Sequence, residues 1–378
     1  MLLILTIAVP ALLVVSLFVA IRWGHVRLEG ASPVGIFSFI AILFTSGLDV
    51  GLVMFPLTEF PTYGSEAPYQ FTNPLAIEFG FWGFLIWAFY FLTTFYFCAV
   101  EPKLKLFEIP AIKAVNNIVI IGTCAFTGFL FLTYLPTYID GIAGVAKFAL
   151  VGAVIFCAVA SSTDIRFVKI LSLTSAWLFF ALIAAVFIAS NMGVSGFIGT
   201  ASNLGGYFAN LHRFITPITD YHAFYLYWWF AWSIMIGQFV SRFVGGLSVR
   251  QLLLALLVFP SIPIAAWFTI LYYVYSNEIA ISGFVNLAMI IVGVMFVINS
   301  LDSLTRLYTE NLNLGVERFG RMRYIAMHWS ALFGLVLLYQ FTPLQIEWIG
   351  LVVITMFVCI AGLIFIRRKS LTGARAAL

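Results

Sequence analysis

In TSGLDVGLVMFP, residues 45–56, Gly47 and Gly51 bracket an acid, Asp49, and Pro56 follows. The stretch lies inside an apolar run, 34–58, long enough to cross a bilayer. Glycine loosens a helix and proline removes a backbone donor, so this span is expected to be interrupted. A carboxylate in the middle of an apolar span is expensive, and such residues mark functional sites. The plainer alternative is a Gly-xxx-Gly packing face with Asp49 hydrogen-bonded to a neighbouring helix.

Outward from that stretch the chain stays apolar. Of its 378 residues, 63% are hydrophobic and 9% charged, the composition of a polytopic membrane protein rather than a soluble domain. Eleven segments can span or nearly span: 2–22, 34–58, 76–99, 114–137, 144–161, 170–190, 223–243, 251–275, 280–303, 324–341 and 344–366. They are read as helices, because backbone in lipid must satisfy its own hydrogen bonds and no barrel-like alternation is present. All but Lys147 and Arg213 of the 19 basic residues fall in the connections after segments one, three, five, seven and nine or in the tail. This bias sets the N-terminus outside and the C-terminus in the cytoplasm, in the cell's inner (plasma) membrane. The net charge of +4 follows from it and implies no nucleic-acid partner. The first apolar run lacks a basic leader and is too long for a signal-peptide core, so it is expected to remain as a helix.

Segment seven, within YHAFYLYWWFAWSIMIGQF (221–239), is a second candidate for interruption, at Gly237. It lies five segments after the first. Two five-helix units that each begin with a broken helix fit an inverted-repeat transporter, whose site forms at the midplane between those helices. The expected organisation is a peripheral helix and connection (1–30), a first unit (31–190), an external loop (191–222), a second unit (223–366) and a short basic tail (367–378). Within the loop, LGGYFANLHRF (204–214) reads as a short amphipathic helix or an ordered loop.

Four cysteines (98, 124, 157, 359) and four histidines (25, 212, 222, 328) give no disulfide framework and no metal or haem spacing. No HExxH, GxSxG or phosphate-loop motif is present, so neither an enzyme nor a cofactor is expected. Glu78, Asp140 and Glu278 read as segment-end charges in water, and Arg242 and Arg250 as positive-inside anchors.

Aromatic residues carry the functional signal. Tyr225, Trp229 and Trp232 fall at i, i+4 and i+7 on a helix. Trp82, Trp87 and Tyr90 would share an arc of roughly 140° at about 100° per residue. Rings converging on one point form a cage for a quaternary ammonium group, and a desolvated cation over a ring gains about 2 kcal/mol or more. The alternative is core packing or an interfacial aromatic belt.

In YHAFYLYWWFAWSIMIGQFVSRFVGGLSVRQ (221–251), Trp228, Trp229, Trp232, Gly237, Phe239, Arg242, Gly246 and Arg250 resemble the eighth-helix signature of the betaine/choline/carnitine transporters. Trp82, Trp87 and Tyr90 resemble the ring positions on that family's fourth helix. GLDVG (47–51), followed by Glu59, is similar to its glycine stretch, and FVINSLDS (296–303) to its tenth-helix motif. The resemblance runs from about residue 1 to 366. It implies a leucine-transporter-like core of two inverted five-helix repeats, here with one extra N-terminal helix. Members commonly assemble as trimers and move quaternary ammonium compounds by alternating access.

Carried onto this sequence, the resemblance gives a substrate cage of Trp82, Trp87, Tyr90 and Trp229, lined by Trp228 and Trp232. A sodium site would use backbone near Gly47 and Leu48 and the side chains of Asn299 and Ser300, with Asp302 and Ser303 as support or as a helix cap. Thr123 and Thr127 are candidates for a second cation site. The family usually has twelve helices, against the eleven expected here, and the resemblance leaves its first unmatched. Leu226 stands where an aromatic is usual, Asn299 replaces a common threonine and Asp49 replaces a glycine. An acid at that place is similar to proton-coupled, choline-type members: choline brings no carboxylate, and Asp49 would supply the negative charge and exchange a proton. The expected function is secondary transport of a choline- or betaine-type solute coupled to protons or sodium. The alternative is a transport-inactive receptor or subunit of a larger membrane complex.

Overall fold

The computed structural model describes residues 2–367 except 49, 140, 143 and 282, so Asp49, Asp140 and nearly all of the basic tail lie outside the described residues. Leu2–Arg22 (α1) is followed by Ile36–Gly47 (α2), Val50–Met54 (α3) and Pro56–Ser65 (α4). Segment two is therefore broken as expected, at Leu48, which is extended with φ −127° and ψ 159°. Pro74–Trp82 (α5) starts on Asn73, whose Oδ1 accepts from Ala76 N at 3.0 Å, with proline at the first helical position. It stops at Gly83, and Trp87–Phe95 (α6) resumes the segment. The helical arc expected for Trp82, Trp87 and Tyr90 is thus split by a break that the sequence reading did not contain. Phe84 N donates to Ser261 Oγ at 3.1 Å, so the break is stitched to a neighbouring helix.

After Glu101–Leu104 (α7) come Pro110–Tyr138 (α8), Gly144–Ser161 (α9) and Arg166–Ala189 (α10). The long connection holds Gly193–Ala201 (α11) and Gly205–Ala209 (α12), not one helix over 204–214. Asp220–Val240 (α13), Val249–Ser276 (α14), Gly283–Asn311 (α15), Val316–Phe319 (α16), Arg321–Phe341 (α17) and Ile346–Ile366 (α18) complete the chain.

Among the described residues, nine helices are long and apolar enough to cross a membrane. The two other expected spans are the broken α2–α4 and α13. The latter has the length, but its tyrosines, tryptophans and glutamine dilute its hydropathy. It is buried by other helices along almost its whole length, so it needs no lipid-facing surface.

Packing partners recur in pairs. α2 against α10 is matched by α13 against α18, and α8 against α17 by α15 against α9. Contacts of α13 with α6 match those of α4 with α14, while α8 and α15 pack on each other. This is the pairing that two five-helix units produce. Five crossings are an odd number, so the second unit enters from the opposite face.

The connections sort as the basic residues require. Arg27–Glu29 (β1) pairs antiparallel with Gly245–Ser248 (β2), joining the loops after α1 and α13. Arg242 pairs with Glu310, Arg306 donates to Asp164 O at 3.0 Å, and Arg367 to Leu104 O at 3.3 Å. On the other face, Tyr69 bonds Thr219 at 2.7 Å, Asn73 donates to Asn203 O at 2.9 Å and Asn286 to Tyr138 O at 2.6 Å.

Gly237 does not break α13. A Cβ there would fall onto the Thr93 side chain and 2.7 Å from its backbone carbon. Thr93 Oγ1 also bonds Ser233 O at 2.7 Å, so α6 and α13 touch backbone to side chain. Gly237→Ala is expected to pry the two helices apart at about 1–3 kcal/mol. A lowered melting temperature in detergent checks this.

Candidate functional site

Thr219 caps α13, its Oγ1 accepting from His222 N at 3.1 Å, and residues 225–237 are all buried. Opposite lies the C-terminal end of α5. The Trp82 ring meets Trp229 edge-on at 5.0 Å, Trp228 at 5.6 Å and Tyr225 at 5.7 Å. Trp228 and Trp229 stack at 4.9 Å, and Phe55, just before Pro56, closes the group 6.1 Å from Trp82. Trp229 is fixed by its Nε1 donating to Phe81 O at 2.9 Å.

Trp87 and Tyr90 form a neighbouring group. Their rings meet edge to face at 5.3 Å, and Trp87 Nε1 donates to Trp82 O at 3.2 Å. Tyr90 OH donates to Gly47 O at 3.0 Å. Both rings pack against Gly47, 3.3 and 3.5 Å from where a Cβ would stand. The break in segment two therefore lies beside the aromatic wall. Trp232 is buried one turn beyond Trp228, without a ring contact among the described residues. The indole N–H groups of Trp82, Trp228 and Trp232 lack a hydrogen-bond partner.

Around the break, the hydroxyls bond one another. Thr45 Oγ1 donates to Ala41 O at 2.8 Å, so only a donor can face its lone pair. That donor is Asn299 Nδ2, at 3.0 Å, while Asn299 Oδ1 accepts from Ser172 at 3.2 Å. The network thereby fixes which way the amide points. Ser300 Oγ donates to Leu48 O at 2.8 Å, and Ser46 and Ser303 hydroxyls meet at 3.0 Å. As arranged, this set does not fit sodium. A hard cation needs converging oxygen lone pairs, and Asn299 presents N–H donors there instead.

Residues 119–274, which include all of α13, match the model of the betaine/carnitine/choline family transporters. The glycine betaine transporter OpuD of Bacillus subtilis is 25% identical over 339 residues, covering 73% of this chain and 64% of that one. A glycine betaine/proline/choline transporter of Vibrio parahaemolyticus is 30% identical over 102 residues, or 23% of this chain and 18% of its own. The chain thus spans less than two thirds of the length of the curated relatives it matches. A sodium-coupled sialic acid symporter in an outward-open state overlays 94% of this chain and 82% of its own, with a TM-score of 0.45 and 15% identity.

Other positions singled out by family resemblance lie apart from the rings. Thr123 and Thr127 are buried one turn apart on α8; Thr127 Oγ1 reaches Thr123 O at 3.5 Å and Thr123 Oγ1 has no partner. Neither hydroxyl joins the Asn299 network. Asp302 is neither a cap nor part of that network: it pairs with Arg306 at 3.2 Å and accepts from Ser161 at 2.8 Å. Glu278 is exposed, as expected of a segment-end charge. Glu78 is not: it is fully buried on α5. Sequence reasoning missed Phe55, Thr45 and Ser172 as well, since only tertiary packing brings them to the site.

Proposed function

We propose that this chain is a secondary transporter of a quaternary ammonium solute, with the cation held among Trp82, Trp228, Trp229, Trp87 and Tyr90. The observation that carries this is the edge-on approach of Trp82 to the paired tryptophans of α13, a helix lying wholly inside the family match. Electron-rich ring faces and water exclusion suit a cation that has no N–H to donate in a hydrogen bond. The unpartnered N–H groups of Trp228 and Trp232, one turn apart, support a solute that brings an acceptor. Betaine-type zwitterions carry a carboxylate and choline does not, so glycine betaine is expected to bind more tightly than choline.

The self-satisfied Asn299 network supports protons rather than sodium as the coupling ion, with Asp49 as one candidate carrier. The grouping of basic connections supports an outside N-terminus and a cytoplasmic C-terminus. In proteoliposomes, an inward proton gradient is expected to drive glycine betaine uptake without sodium. Uptake that stops when sodium is replaced by an impermeant organic cation would refute proton coupling.

A further inference from the structure

A second set of buried ionisable groups lies one helical turn from the rings. Glu59 on α4 is 4% exposed and Glu78 on α5 is 0% exposed. Glu78 precedes Trp82 by four residues, and Tyr225 precedes Trp229 by four, so the cluster lies one turn from the rings on both helices. Three phenols converge on Glu59. Tyr63 OH donates at 2.6 Å, Tyr225 OH at 2.9 and 3.0 Å to the two oxygens, and Tyr221 OH to Oε1. Glu78 differs. Neither of its oxygens has a hydrogen-bond partner, although Glu59, Tyr63 and Trp82 are its polar neighbours. The Trp82 N–H beside it is also unpartnered.

No ion pair balances these charges: among the described residues neither glutamate forms a salt bridge. The further titratable groups beside them are phenols: Tyr69 before α5, near both glutamates, and Tyr138 from α8, near Glu59. Burial holds the Tyr69 phenol up to about 12, so it remains neutral. Two uncompensated buried carboxylates would cost several kcal/mol each.

We propose that Glu59 and Glu78 form a proton-binding pair, in which Glu78 is a neutral acid whose O–H is donated to an ionised Glu59. The hydrogen-bond count closes on this arrangement. A carboxylate offers about four lone-pair sites. Three phenols supply three protons, with Tyr225 shared between the two oxygens, and the Glu78 O–H supplies the fourth. The Glu78 carbonyl is then free to accept from Trp82. The pair places one negative charge and one exchangeable proton a turn away from the rings. Its part in coupling rests on the proposed transport function, but its existence does not.

Infrared difference spectroscopy of the purified protein between neutral and alkaline pH tests the pair without any substrate. The expected result is a protonated-carboxyl C=O band that shifts on carbon-13 labelling of glutamate. It is absent in Glu78→Gln and retained in Asp49→Asn. The amide introduced by Glu78→Gln can still donate to Glu59, so this variant is expected to fold. Should it not, Tyr225→Phe serves, since loss of one donor to Glu59 must shift the band. A band indifferent to glutamate labelling, retained in Glu78→Gln or unmoved in Tyr225→Phe would overturn the pair. Loss of glycine betaine binding alongside an intact band would refute the proposed solute and leave the pair standing.

Discussion

Trp229→Leu is expected to abolish saturable binding of glycine betaine. The indole sits edge-on to Trp82, stacks on Trp228 and is aimed by its hydrogen bond to Phe81 O. Leucine removes one ring face from the cation and the contact that orients the other two rings. A desolvated cation over a single ring gains about 2 kcal/mol or more, so affinity should fall by roughly 30-fold at least. Calorimetric titration reads this without relying on tryptophan emission. Tyr90→Phe is the companion variant. It keeps the ring and deletes the bond to Gly47 O, so binding should survive with a much smaller loss. Wild-type affinity in Trp229→Leu would mean that the aromatic wall is packing.

The largest effect on stability is expected from Asp302→Ala. The Asp302 carboxylate is fully buried, the Arg306 side chain is 6% exposed, and the pair is closed by Ser161 and the Asp164 carbonyl. It clamps α15 to the turn between α9 and α10, next to the contact of Ser303 with Ser46. Removing one partner leaves a buried, unpaired guanidinium, at a cost of about 3–5 kcal/mol. The double variant Asp302→Leu with Arg306→Met removes both charges and should recover much of that loss. Melting temperatures in detergent check both. If Asp302→Ala melts like the wild type, the pair is not a structural clamp.

Much of this architecture was legible because lipid imposes simple rules. Apolar length gave the spans, and the partition of lysine and arginine gave the faces on which the connections meet, as the β1–β2 pairing and the Arg306 to Asp164 contact bear out. The interruption at Leu48 was legible because glycine, an acid and proline fall within residues 47–56. Gly237 misled, since a glycine that lets Thr93 approach reads the same in sequence as one that ends a helix. The break after Trp82 was missed because it depends partly on Ser261 of α14 capturing a backbone N–H, which no local pattern records. The meeting of Trp82 with Trp229 was expected from the family resemblance, whereas the spacing argument assumed an unbroken helix through Trp82, Trp87 and Tyr90. The donor role of Asn299 follows from the hydroxyl of Thr45 being spent on Ala41 O, and a sequence does not show where a hydroxyl proton goes. Glu78 looked like a wet helix end because Pro74 and Asn73 begin α5 nearby. Glu59 and Tyr63 of α4 stand beside it instead.

The central claim is transport of a quaternary ammonium solute through the site beside Trp82 and Trp229. Uptake of labelled glycine betaine into proteoliposomes, with and without an inward proton gradient, tests it most directly. The account predicts accumulation above the external concentration that requires the gradient, proceeds without sodium and is lost in Trp229→Leu. Saturable binding with no uptake under any gradient would contradict it and mark the chain as a receptor or subunit.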